Sequence, residues 1–299
     1  MSYEDIVQMW KGFRIQDSTQ LGAYLENFSV LFAYHSGKIE NENITYHDTR
    51  EIFENGRVIN YTGSLKTLYE IENMKSAYKL MMEWFDRDAD ITQERIKEMH
   101  YELTKGTYDE RRWSLGERPG EYKKNDIWCI GEKELAAPIE DIEQEMEEDI
   151  SQIMEITDQS NILVAAAWWH MRFEGIHAFA DGNGRTGRAI MNYYLIKNDY
   201  PPVIIYQDDK QIYYDALEYF DETGEIQPMV DFLKDQTCRT WEKTHSRYHR
   251  EERNYTEECR QRTMKMHKNM EFLENEKKSK EYARKNHNLE FQKEDGLEL

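Results

Sequence analysis

The chain has 299 residues, 39 Lys and Arg against 59 Asp and Glu, and a formal net charge of -20. Such an acidic balance argues against general nucleic-acid binding, which needs a basic surface, although a local basic pocket could still hold a phosphate. With 15 glycines and 5 prolines among many Glu, Lys, Leu and Met, the composition favours a mostly α protein with one globular body, with room for a tail.

The opening MSYEDIVQMW has no basic start and no apolar run, so no secretory signal is expected. The longest apolar stretch, ILVAAAWW at 162–169, is too short to span a bilayer, so no membrane partner is expected. Cys129, Cys238 and Cys259 are odd in number and far apart, which suits reduced structural thiols in a cytoplasmic setting.

In chain order, residues 1–105 read as a series of helices. STQLGAYLENFSVLFAYH puts Leu21, Leu25, Phe28, Leu31 and Phe32 on one face. Thr45 is an N-cap candidate for a helix that ends at Gly56, and Ser64 starts an amphipathic helix over 64–85. ITQERIKEMHYEL follows. Residues 106–137 break the pattern, and their glycines, Pro-Gly turn signal and Ile127–Ile130 run predict a short β-hairpin flap, the one expected piece of sheet. A helix is expected after Pro138, and NILVAAAWWHMRF (161–173) is apolar nearly all round, as a central core helix would be. Further helices are expected over 185–198, 208–220 and 228–245. From 246 to 299 the chain is dense in both charge signs and poor in apolar residues, which reads as a charged helical or disordered tail. The expected organisation is therefore 1–105, 106–245 and 246–299.

Between the two central helices lies HAFADGNGRTGR, residues 177–188. Its glycines let backbone N–H groups approach an anion, and they stand where the next helix opens, so free N–H groups and the helix dipole coincide. Arg185 and Arg188, three residues apart, can converge on that helix start and suit a di- or triphosphate. Asp181 beside them is placed to hold Mg2+ against phosphate oxygens, and His177 at the loop entry is a candidate general base for a hydroxyl. Phe179 has no polar role and reads as the loop's anchor. Any one of these residues alone is an ordinary loop residue; the combination points to nucleotide chemistry at phosphorus. The P-loop pattern GxxxxGK(S/T) is absent.

HAFADGNGRTGR resembles the Fic signature HxFx(D/E)GNGRxxR at every specified position, and the flanking AAAWWHMRFEGI resembles a Fic core helix. The resemblance extends over roughly residues 20–240 and implies a Fic-type helical bundle. It implies a protein adenylyltransferase that moves AMP from ATP to a Tyr, Ser or Thr hydroxyl and releases pyrophosphate. His177 would then be the general base and Asp181 the Mg2+ ligand. Gly182, Asn183 and Gly184 would form the anion hole, with Asn183 on the α-phosphate. Arg185 would serve the β-phosphate region and Arg188 the γ-phosphate. The flap over 117–136 would dock the target by strand addition. Tyr213 and Tyr214 would touch the adenine, a reading no stronger than that of core tyrosines at helical spacing. SGKIEN, from Ser36 to Asn41, resembles the family's inhibitory pattern (S/T)xxxE(G/N), which implies that Glu40 pairs with Arg188 and that Ser36 steadies the contact.

Two positions depart from the family. Ala178 stands where proline is common, and Asp221 stands where an adenine-contacting asparagine is often found, which leaves base specificity open. The expected partner is a protein with an exposed hydroxyl, the chain itself included, and homo-oligomers are common in the family. AMP removal, transfer from another donor, or a nucleotide-sensing module without catalysis stay open as alternatives.

Overall fold

A computed structural model describes residues 2–125 and 136–249, the side chains of the last helix as far as Glu242, and Lys268. Contacts divide the chain into Met1–Tyr255 and Thr256–Leu299, and every helix below belongs to the first unit. The order is α1 (Tyr3–Gly12), α2 (Ser18–Glu40), α3 (Tyr46–Asn55), α4 (Leu65–Asp86), α5 (Gln93–Thr104), α6 (Glu110–Ser114), α7 (Ile142–Met154), α8 (Ile162–Ile176), α9 (Asn183–Lys197), α10 (Lys210–Thr223) and α11 (Gln227–His249). None of the helices among the described residues is long and apolar enough to cross a membrane.

Local chemistry sets most of these ends. Asp17, Thr45, Ser64 and Thr92 each accept a backbone N–H of the first turn they cap. Gly56 ends α3 in the left-handed conformation, at φ 69°. Leu21, Leu25, Phe28 and Phe32 of α2 are buried, while Leu31 is only half-buried and helps to line an outer groove instead.

Helices α8 and α9 pack against each other at the centre, with α7, α10 and α11 against α8, and α2, α4 and α5 against α9. Ile190, Tyr193 and Met191 of α9 are fully buried, as are Trp169 and Phe173 of α8. The chain after α9 is extended and buried, so its backbone needs partners. Asn192 supplies two: its amide donates to the Val203 carbonyl at 2.9 Å and accepts the Val203 N–H at 2.7 Å. Thr240 and Gln236 of α11 accept the N–H groups of Ile204 and Tyr206.

The β-hairpin flap is not found: no strand occurs among the described residues. Helix α6 occupies 110–114, and the chain after it turns around a buried carboxyl group. Glu117 is 1% exposed and accepts the Lys124 N–H at 3.1 Å and the Asn125 amide at 2.7 Å. That inward charge satisfies the backbone locally, where a hairpin would have paired it across strands. Ile127 to Ile130, on which the expectation rested, lie outside the described residues, as do Cys129 and Cys259. Cys238 is buried in the core.

Ile190 is a sensitive point, since α9 carries the site on its first turn and the core on the rest. Ile190→Ala should lower the unfolding free energy by about 2–5 kcal/mol, read from the urea midpoint at constant slope.

Candidate active site at the start of α9

Helix α8 ends at His177, whose φ of 49° and ψ of 54° put a non-glycine residue in the left-handed region. Gly182, at φ 86°, begins α9, and no side chain caps that helix. Its first N–H groups therefore face outward toward any anion at the helix start. The loop between is fixed from inside. Asn183 Oδ1 accepts the Phe179 N–H at 2.9 Å, and its Nδ2 donates to the Phe179 carbonyl at 2.8 Å. Both ends of this amide are thus committed to the loop. Its backbone N–H, on the first turn of α9, stays at the helix start where the anion hole is expected.

Phe179 is completely buried and stacks on His100 of α5, with ring centroids 3.8 Å apart. His100 Nδ1 accepts the Gly120 N–H at 2.8 Å, so the ring proton lies on Nε2, which donates to the Asp181 carbonyl at 2.8 Å. Burial pushes His100 down to about 4, which keeps this neutral tautomer in place.

A cavity of about 440 Å³ opens at the start of α9, within the range of small-molecule sites. His177, Asp181, Gly182, Asn183, Gly184, Arg188, Tyr213 and Tyr214 all line it, and Glu40 joins them from α2. A larger cavity, between α2, α3 and α4, contains none of these groups. Tyr213 is buried, with its hydroxyl 2.9 Å from His170 Nε2, while Tyr214 is exposed at the rim.

Arg188 is only 1% exposed. Its Nε donates to Ser36 Oγ at 2.9 Å, and its Nη2 donates to the Ser36 carbonyl at 3.0 Å and to Glu40 Oε1 at 2.7 Å. Burial by itself would weaken its hold on the proton, but Glu40, with Tyr213 and Glu174 adding to it, outweighs that and raises the guanidinium's affinity. Glu40 also sits in the anion position. A Cβ on Gly184 would fall 2.4 Å from Glu40 Oε1 and 2.8 Å from Arg188 Nη1. The carboxylate is therefore pressed against the first turn of α9, and only glycine leaves it room.

Arg185 is placed differently from its expected role. It is buried behind the wall of the cavity, with Nη1 3.9 Å from Glu70 Oε1 and Nη2 3.4 Å from Asp181 Oδ1. The tertiary fold sends its guanidinium back toward α4 because a buried carboxylate waits there. Arg112 of α6 lines the cavity in its stead, 3.6 Å from Asp181, and Lys66 of α4 lies 3.9 Å from the same carboxylate. Burial would push the Asp181 carboxyl up, but Arg185, Arg112 and Lys66 together hold it below the ordinary aspartate value. His177 is held down at about 4, first by burial and then by the Lys123 cation, and its Nδ1 is buried without a hydrogen-bond partner.

Residues 90–195 match the Fic/DOC family. The chain contains a Fic/DOC domain. It is 31% identical over 212 residues to the protein adenylyltransferase Fic of Drosophila sechellia, and equally to that of Drosophila melanogaster; the match covers 69% of this chain and 40% of each relative. The chain thus spans about two-fifths of the length of these curated relatives. Among solved structures, a Fic domain containing signaling protein from Bacteroides thetaiotaomicron superposes with a TM-score of 0.68 at 22% identity, covering 85% of this chain and 98% of that one. Fic-1 from C. elegans gives a TM-score of 0.65 at 21% identity, covering 82% and 72%.

The motif of this Fic domain was visible in the sequence, but its supports were not. His100, Arg112, Lys66 and Glu70 come from α4, α5 and α6 and carry no motif. Two of the buried histidines give a pH test. His100 and His170 are pushed by burial to about 4 and about 3 from an unfolded value of 6.5. The unfolded chain binds their protons first, so stability should be full above pH 6.5 and fall toward pH 4, by up to about 1.4 kcal/mol per unit for each ring. Urea unfolding across that range checks it, with NMR showing His177 untitrated above pH 5.

Proposed function

We propose that the cavity binds a nucleoside triphosphate, ATP being the expected donor, and that the chain transfers its AMP to a protein hydroxyl. The observation that carries the reading is an uncapped helix start, already facing a carboxylate, beside a neutral histidine and a buried arginine. The relatives named as adenylyltransferases point the same way.

On this reading the first N–H groups of α9 and Arg188 bind the phosphates, with Arg112 as a further cation at the wall. Arg185 braces Asp181 from behind, in reach of the β-phosphate region only if it leaves Glu70. His177 takes the proton of the target hydroxyl as its oxygen attacks the α-phosphorus, and pyrophosphate departs. Its low affinity for protons keeps a lone pair available at neutral pH, and the incoming phosphate charge strengthens it as a base. Asp181 suits Mg2+: it is an ionised carboxylate at the cavity, beside the phosphate position, and Mg2+ asks for one or two carboxylates plus phosphate and water. When bound, the ion supplies charge neutralisation on the phosphate oxygens. Residues 1–105 would then act as the regulatory region and 106–245 as the catalytic core.

Glu40 occupies the place that the terminal phosphate needs, so the resting state is self-inhibited. Glu40 also borders the same cavity as His177, which favours AMP removal as a second reading, with Glu40 positioning water.

Glu40→Gly should increase self-modification in ATP and Mg2+, seen as an AMP adduct on the intact protein by mass spectrometry. No gain over wild type, with ATP still bound, would favour AMP removal or another donor. His177→Ala should cut transfer by about 10²–10⁴-fold while leaving nucleotide affinity within about threefold; collapse of binding would make His177 structural.

A further inference from the structure

Glu174 lies one turn before His177 on α8 and has no part in the chemistry above. Its side chain lines the cavity with Glu40 and Arg188, and its Oε1 is buried without a hydrogen-bond partner. It is wedged against α9: a Cβ on Gly187 would lie 3.0 Å from that oxygen. His170 Nε2 is 3.9 Å away, but burial holds that imidazole neutral, so it supplies no charge. The other groups facing Glu174 are Arg188 from α9, Glu40 from α2, and Tyr213 and Asp221 from α10. Tyr213 is held neutral as well, chiefly by burial.

One buried cation is therefore shared by two carboxyls, Glu40 in direct contact and Glu174 nearby. Glu40, whose side chain is 33% exposed, holds the guanidinium directly, so a second negative charge on Glu174, whose Oε1 is buried beside that already paired cation, would be left uncompensated and Glu174 takes up a proton instead. Burial pushes Glu174 up to about 8; Arg188 opposes this, while Glu40 and Asp221 add to it. Glu174 is thus protonated at neutral pH while Glu40 is docked.

We infer that Glu174 is the reserve counter-ion of Arg188: neutral while Glu40 holds the guanidinium, ionised when Glu40 withdraws, and neutral again when a terminal phosphate takes Glu40's place. The last of these states rests on the function proposed above; the first two do not. Without such a reserve, withdrawal of Glu40 would strand a buried, unpaired arginine, which is strongly unfavourable. The balance is one proton, released to solvent on undocking and taken up again on phosphate binding. Because the docked state holds the proton, rising pH favours undocking. Because the phosphate-bound state holds it too, rising pH weakens nucleotide binding to the undocked chain.

The deciding measurement is an NMR titration of side-chain carboxyls in protein labelled with 13C-glutamate. Wild type should show one glutamate titrating near 8, absent in Glu174→Gln. In Glu40→Gly that signal should move down by a unit or more. An unchanged titration in Glu40→Gly, or no glutamate titrating near 8 in wild type, overturns the inference whether or not nucleotide binds. Calorimetry of ATP binding to Glu40→Gly at pH 7.5, in buffers of different ionisation enthalpy, then reads proton uptake. Uptake approaching one proton, lost in Glu40→Gly/Glu174→Gln, supports the phosphate-bound state. Binding with equal uptake in both variants overturns that state, whereas failure of ATP to bind either variant defeats the proposed function and leaves the NMR comparison to judge Glu174.

Discussion

A guanidinium that is 1% exposed cannot stand without an anion, and the arrangement of this protein around Arg188 follows from that requirement. The core needs α9 at its centre, because Ile190, Met191 and Tyr193 fill the space between the helices on either side. Burying that helix also buries the arginine on its second turn. Helix α2 meets the need with three contacts from two residues one turn apart, Ser36 and Glu40. The helix is 23 residues long, so one end packs in the core while its last turn delivers a carboxylate to the cavity. The carboxylate that faces the start of α9 is thus also what satisfies the fold.

The same logic explains how the loop before α9 is held in place without the proline that its family favours. His177 stands in a left-handed conformation that costs a non-glycine residue free energy, of order 1–3 kcal/mol at such sites. The cost is offset by contacts from outside the motif: the stack of Phe179 on His100, the ring bridging Gly120 to Asp181, and the paired bonds of Asn183 to Phe179. Ala178 is itself fully buried, and its carbonyl accepts the Lys123 N–H at 2.9 Å. Stiffness that a fixed φ would provide comes here from packing and hydrogen bonds.

Charge around Asp181 shows a second balance. Three cations within 4 Å keep the carboxylate ionised and hold it in one orientation. Arg185 in turn is shared with Glu70, which accepts the Asn41 amide at 2.6 Å. The residue that ends α2 is therefore linked to Arg185 through Glu70, just as Glu40 is joined to Arg188. Both arginines of the signature answer to the same few residues of α2.

By itself the sequence determined most of the helices, the caps Thr45 and Ser64, the central apolar pair and the signature that marks the site. Those features are local: a capping side chain acts within one turn, periodicity within a few, and HAFADGNGRTGR is contiguous. It also indicated Glu40 and Ser36, because their pattern survives as a short run. Only the tertiary structure decided that Arg185 turns behind the wall toward Glu70, that Arg112 takes its place at the cavity, that Asn183 spends its amide on the loop, and that Glu174 shares a cation with Glu40. It also turned the stretch near Glu117 into a loop folded around a buried carboxyl group. Each of these depends on which buried charge meets which partner across α2, α4, α5 and α6. Such pairings carry no period and no spacing along the chain, because they are set by desolvation and distance once the core has closed.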